Sequence, residues 1–135
     1  MARTAQDITD AELAVLQVLW EHGPLPIRRI TEILYPEGKT AQYATVQKLL
    51  ERLEGKEGVA RDRSTAVHVF VATLDRDELV GRRLHQVAEK LCGGSWTPLL
   101  THLVQTERLT QKDRRALRQL IDDLDQPRTR KERKE

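Results

Sequence analysis

The stretch KTAQYATVQKLLERLEGKEGVARDRSTAVHVFVAT, residues 39–73, decides how the chain reads. Its first half repeats Val46, Leu49, Leu50 and Leu53 at helical spacing, giving one apolar face, with Thr45, Gln47, Lys48, Glu51 and Arg52 off it. A helix of this kind is anchored on one side and free on the other. Gly58 closes the pattern, and residues 59–63 and 66–73 read as two extended segments joined by a Ser64-Thr65 turn. Val67, Val69, Phe70 and Val71 suit a pleated surface better than a helix. The whole is expected to be a recognition helix followed by a wing.

The residues before it supply the support. Ile8-Thr9-Asp10-Ala11-Glu12 has the spacing of a capping box, with Thr9 as cap, Glu12 three residues on, and Ile8 and Leu13 placed as a hydrophobic staple. Leu13, Leu16, Val18, Leu19 and Trp20 form the stripe of this first helix, which Gly23-Pro24 ends. Pro26 suits a first helical position, and Ile27, Ile30, Ile33 and Leu34 mark a short second helix with Arg28, Arg29 and Glu32 on its wet face. A loop, Glu37-Gly38-Lys39, then leads to Thr40 as cap of the third helix. Three helices and a hairpin outline a winged helix.

Beyond it, Asp75 caps a helix over residues 76–91 carrying Leu79, Val80, Leu84, Val87, Ala88 and Leu91. Cys92-Gly93-Gly94-Ser95 breaks it. Pro98 starts a further helix with Leu99, Leu100, Leu103 and Val104, ending near Glu107-Arg108, and Thr110 caps a last one with Ala116, Leu117, Leu120, Ile121 and Leu124 on its apolar side. These amphipathic helices hold too little for a self-sufficient core and need a partner surface. The simplest partner is a second copy, giving an isologous dimer through Leu79, Leu84, Val87, Leu91, Leu99, Leu100, Leu103, Leu117, Leu120 and Ile121; the alternative is a fold-back onto the N-terminal half.

The fold class expected is therefore mainly α with a small β-hairpin: an N-terminal winged helix-turn-helix over residues 1–74, a helical dimerisation region over 75–126, and a charged, disordered tail over 127–135.

Composition bounds the chemistry. At 135 residues the chain holds one ordinary domain, or a small one with an appended helical module. No apolar window approaches a membrane span, so a cytoplasmic location is expected. One cysteine, Cys92, excludes an internal disulfide and a cysteine-rich metal cluster, and His22, His68, His85 and His102 lack ligand spacing, so neither metal nor cofactor is expected. Residues 1–74 carry nine Lys and Arg against ten Asp and Glu, so bulk charge does not announce a nucleic-acid binder. Any phosphate contact there must come from local clustering. The basic surplus sits in residues 127–135, with five basic against two acidic side chains. Asp122-Asp123 and the Glu51/Glu54 pair are surface carboxylates without a pocket motif, and no Gly-rich phosphate loop or nucleophile elbow occurs, so no enzyme is expected.

The functional reading places Thr45, Gln47 and Lys48 in a DNA groove, Gln suited to adenine edges, Lys to guanine or phosphate, and Thr to phosphate or a thymine methyl. Tyr43 joins this set. Arg61, Arg63, Ser64 and Thr65 at the hairpin supply phosphate donors, and His68 is a packing or phosphate-contact residue. The alternative is a winged-helix protein-interaction module without specific DNA binding.

Together, ITDAELAVLQVLW, ATVQKLLERLEGKEGV, and Gly93-Gly94 ahead of LLTHLVQTERLTQKDRRALRQLI carry a resemblance. From Ile8 to Leu124 the sequence resembles the penicillinase and methicillin-resistance repressors, a group that includes copper-responsive repressors. The resemblance implies a homodimeric winged-helix repressor on inverted-repeat operators in double-stranded DNA, with Thr45, Gln47, Lys48, Arg52 and the wing from Arg61 to Thr65 at the DNA-contacting positions. It also marks departures. The position of the Asn-Phe bond cleaved in the penicillinase repressors is Thr101-His102 here, the copper-binding Cys-x-Cys motif is absent, and the turn after helix 3 is Lys56-Glu57-Gly58, with its glycine one place late.

Overall fold

A computed structural model describes residues 8–38, 40–105 and 108–126. The expected tail over 127–135, the loop residue Lys39 and the Glu107 helix end lie outside the described residues. The elements are α1 (Asp10–His22), α2 (Ile27–Leu34), α3 (Thr40–Gly55), β1 (Val59–Asp62), β2 (Val69–Ala72), α4 (Arg76–Leu91), α5 (Thr97–Gln105) and α6 (Gln111–Asp125). Six helices with one antiparallel hairpin form a winged helix followed by a helical C-terminal part. The chain divides into two compact units, the first ending at Leu91 and the second beginning at Cys92. No helix among the described residues is long and apolar enough to cross a membrane.

The first unit is built on caps and one core. Thr9 accepts from the Glu12 amide and Glu12 from the Thr9 amide, closing the capping box of α1. Gly23 ends that helix at φ +85°, a conformation only glycine adopts without strain. Pro26 occupies the cap of α2, one place before the helix it was expected to begin. Val15, Leu16, Ile30, Val46, Leu50, Leu53 and Phe70 are fully buried together, so α1, α2, α3 and the hairpin share one apolar interior. α4 belongs to this unit. Leu79 is buried in the same core, the Trp20 indole N–H donates to the Leu74 carbonyl at 2.8 Å, and Arg83 donates to the Ile8 carbonyl at 3.0 Å.

The hairpin pairs Val59 with Ala72 through to Asp62 with Val69. On its other edge Phe70 exchanges both backbone hydrogen bonds with Leu25, tying the α1–α2 turn to the wing. The second strand is shorter than the expected 66–73. Asp62 accepts from the Ser64 amide at 2.9 Å and the Thr65 hydroxyl donates to the Val67 carbonyl, so local turns capture backbone groups that a longer ladder would need. The Ser64 backbone hydrogen bond, then its hydroxyl, holds the Asp62 carboxyl below the usual carboxylate range.

The exit from α3 uses the displaced glycine in an unexpected way. The Gly58 amide donates to the Leu53 carbonyl at 2.8 Å and the Glu57 amide to the Glu54 carbonyl at 3.0 Å, the paired bonds of a Schellman cap. The left-handed position falls on Glu57, at φ +64°. A glycine there would remove the Cβ penalty, partly offset by greater freedom of the unfolded chain. Glu57→Gly should therefore raise stability by roughly 0.5–1 kcal/mol, seen as a rise of a few degrees in melting temperature. An unchanged or lower midpoint would contradict this account of the cap.

In the second unit α6 has its own capping box, between Thr110 and Asp113. Neither α5 nor α6 contains a buried residue.

Candidate nucleic-acid interface

α3 is held by Val46, Leu49, Leu50 and Leu53, which points the rest of its circumference outward. At about 3.6 residues per turn, Ala41, Thr45, Lys48 and Arg52 align along its outer stripe, while Tyr43, Gln47 and Glu54 lie along the flank nearer the wing. Thr45, Gln47, Lys48 and Arg52 are exposed. The Thr45 hydroxyl donates back to the Ala41 carbonyl at 3.0 Å, which leaves its oxygen free to accept.

The wing is fastened to this helix by Arg61. Its guanidinium donates through Nε (3.3 Å) and Nη2 (3.0 Å) to the two carboxylate oxygens of Glu54 and lies over the Phe70 ring at 4.9 Å. Arg61 is thus engaged within the chain, whereas Arg63, Ser64 and Thr65 are exposed at the tip.

Ion pairing leaves the domain's charge balance unchanged but shows which cations are engaged within the chain. Arg29 is spent on Glu32, Lys56 on Glu12 and Arg61 on Glu54. Among the described residues Arg28, Lys48, Arg52 and Arg63 make no ion pair, and all four belong to α2, α3 or the wing. Sequence reasoning passed over Arg28 as an ordinary wet-face residue. It lines an open hollow of about 570 Å³ between α2, α3 and the wing, with Ile27, Tyr43, Arg61, Val67 and His68 among its walls. Nothing in the local pattern signals this, since the three elements meet only through the fold. No cluster of metal-ligating side chains occurs among the described residues.

The residues named for dimerisation fall in two groups. Leu79 is committed to the core of its own chain, while Leu84, Leu91, Leu100, Leu103, Leu120 and Ile121 are exposed. Val87 is 37% exposed, and Leu99 and Leu117 are half-buried.

The arrangement defines a class: a winged helix-turn-helix protein presenting an anchored, polar third helix beside a basic-tipped hairpin. The profile of the penicillinase repressor family matches residues 8–123, and the chain belongs to that family. It is 33% identical to the transcriptional regulator BlaI of Mycobacterium tuberculosis over 86% of this chain and 83% of that protein. It is 23% identical to the penicillinase repressor of Staphylococcus aureus, over 92% and 98%, and 22% identical to that of Bacillus licheniformis, over 86% and 90%.

Proposed function

We propose that this chain is a transcriptional repressor that binds operator DNA as a homodimer, inserting α3 of each copy into the major groove of an inverted repeat. The observation that carries the reading is the division of α3, which buries four apolar side chains and leaves Thr45, Lys48 and Arg52 exposed along one stripe and Gln47 exposed on the flank nearer the wing. Relatives named as penicillinase repressors and as a transcriptional regulator support it over nearly the whole chain. Lys48 and Arg52 supply positive charge to the groove, Gln47 a bidentate amide for a base edge, and Arg63 with Ser64 and Thr65 donors for the flanking backbone. The exposed leucines of α5 and α6 supply the dimer face, and the dimer sets the half-site spacing.

Selection of bound sequences from a random duplex pool at near-physiological salt, with oligomeric state followed by light scattering, tests the reading directly. An inverted repeat enriched by a dimer is expected. On that operator Lys48→Ala should weaken binding about tenfold, and Gln47→Ala should relax preference at one base pair by about 1–3 kcal/mol. Equal losses on operator and random duplex for both variants would count against direct readout by α3.

A further inference from the structure

The hollow between α2, α3 and the wing concentrates hydrogen-bond donors in a domain with a slight acidic excess. Arg28 comes from the second helix, Tyr43 from the first turn of the third, and His68 from the loop entering β2. None of the residues lining it carries a carboxylate. Arg28, Tyr43 and His68 are exposed, and among the described residues Arg28 and His68 make no ion pair. The fourth polar wall, Arg61, is fixed in place by Glu54 and Phe70, so it frames the hollow. Ile27, Ala66, Val67 and Phe70 complete the lining as apolar surface.

We infer that this hollow seats one backbone phosphate of the bound duplex, held by the Arg28 guanidinium, the Tyr43 hydroxyl and the His68 ring N–H. The inference rests on the DNA-binding reading above and deepens it: Tyr43 and His68 were expected near DNA, whereas Arg28 was not, and the hollow brings the three to one place. Its chemistry fits a phosphodiester: a planar cation with forked donors, a phenol and an imidazole on three separate elements, around a space wide enough for a tetrahedral anion. A phosphate clamped simultaneously by α2, α3 and the wing fixes the depth and angle at which α3 enters the groove. The site thereby positions the reading residues without reading sequence itself.

The test uses the full-length protein and its selected operator. Arg28→Ala should reduce affinity about tenfold on operator and random duplex alike, and lower the slope of log K against log salt by about 1. Tyr43→Phe, which removes a single hydroxyl, should give a smaller loss of the same sequence-independent kind. Replacing the seated phosphate by a neutral methylphosphonate should abolish any further effect of Arg28→Ala. An unchanged salt slope in Arg28→Ala, with wild-type binding still steeply salt-dependent, would overturn the phosphate seat and leave the repressor reading standing. Wild-type protein that binds no duplex would overturn both. Saturation of the His68 ring resonances by micromolar inorganic phosphate without DNA would make this a free-anion site and also overturn the inference.

Discussion

Lys56→Ala should destabilise the first unit by about 3 kcal/mol or more, the largest stability effect expected from a single polar substitution here. Lys56 Nζ lies 2.6 Å from Glu12 Oε1, and the Glu12 side chain is completely buried. The same oxygen accepts from the Thr9 amide, while Oε2 is buried with no hydrogen-bond partner among the described residues. Removing the ammonium leaves a buried carboxylate with no opposing charge and with Oε2 still unpartnered, an arrangement costly in an apolar interior. For a unit of this size the loss corresponds to a fall in melting temperature of more than about 10 °C. Glu12→Gln combined with Lys56→Ala should recover much of it, because the uncompensated charge is then gone. If the single variant melts within about 3 °C of wild type, the pair is an ornament and the join between α1 and α3 rests on packing alone.

That pair also marks the boundary of what could be read from the chain. Thr9, Glu12, Asp75 and Thr110 act within three residues of themselves, so their capping was legible from spacing. The stripe of α3 was legible for the same reason, as was the hairpin after it. Glu12 and Lys56 are 44 positions apart, and no periodicity links them. Pairing of Arg61 with Glu54 likewise needs the wing to fold back along the helix before the two can meet. Arg28 looks like any solvated helix residue until α2, α3 and the hairpin enclose a common hollow. Leu79 was grouped with Leu84 and Val87 for the dimer face, yet lies in the core of the first unit: it stands five positions before Leu84, off the exposed stripe of Val80, Leu84, Val87 and Leu91. The shortened second strand follows from Asp62 and Thr65, whose side chains offer the backbone a turn in competition with the ladder.

Charging the apolar stripe of α6 should produce the largest functional effect. Leu117, Leu120, Ile121 and Leu124 recur at spacings of three and four, and Leu120, Ile121 and Leu124 are 62%, 49% and 80% exposed. Monomeric proteins rarely leave contiguous apolar surface of this kind in water, and the proposed dimer provides its cover. In an isologous interface every side chain occurs twice, so Leu120→Glu with Ile121→Glu removes four apolar groups and introduces four charges. At about 1.5–3 kcal/mol for each buried aliphatic side chain, the interface loses roughly 6 kcal/mol before the desolvation of the new carboxylates is counted. That is about four decades in dimer affinity, enough to leave a monomer at micromolar concentration. Operator binding should then fall by 10²–10⁴-fold, since two linked half-site contacts become two independent ones. Both positions face solvent in the single chain, so helix content should stay unchanged by circular dichroism, separating lost assembly from lost folding. Sedimentation showing an intact dimer in the double variant would move the interface off α6, and the exposed face of Leu84, Val87 and Leu91 on α4 would become the surface to charge next.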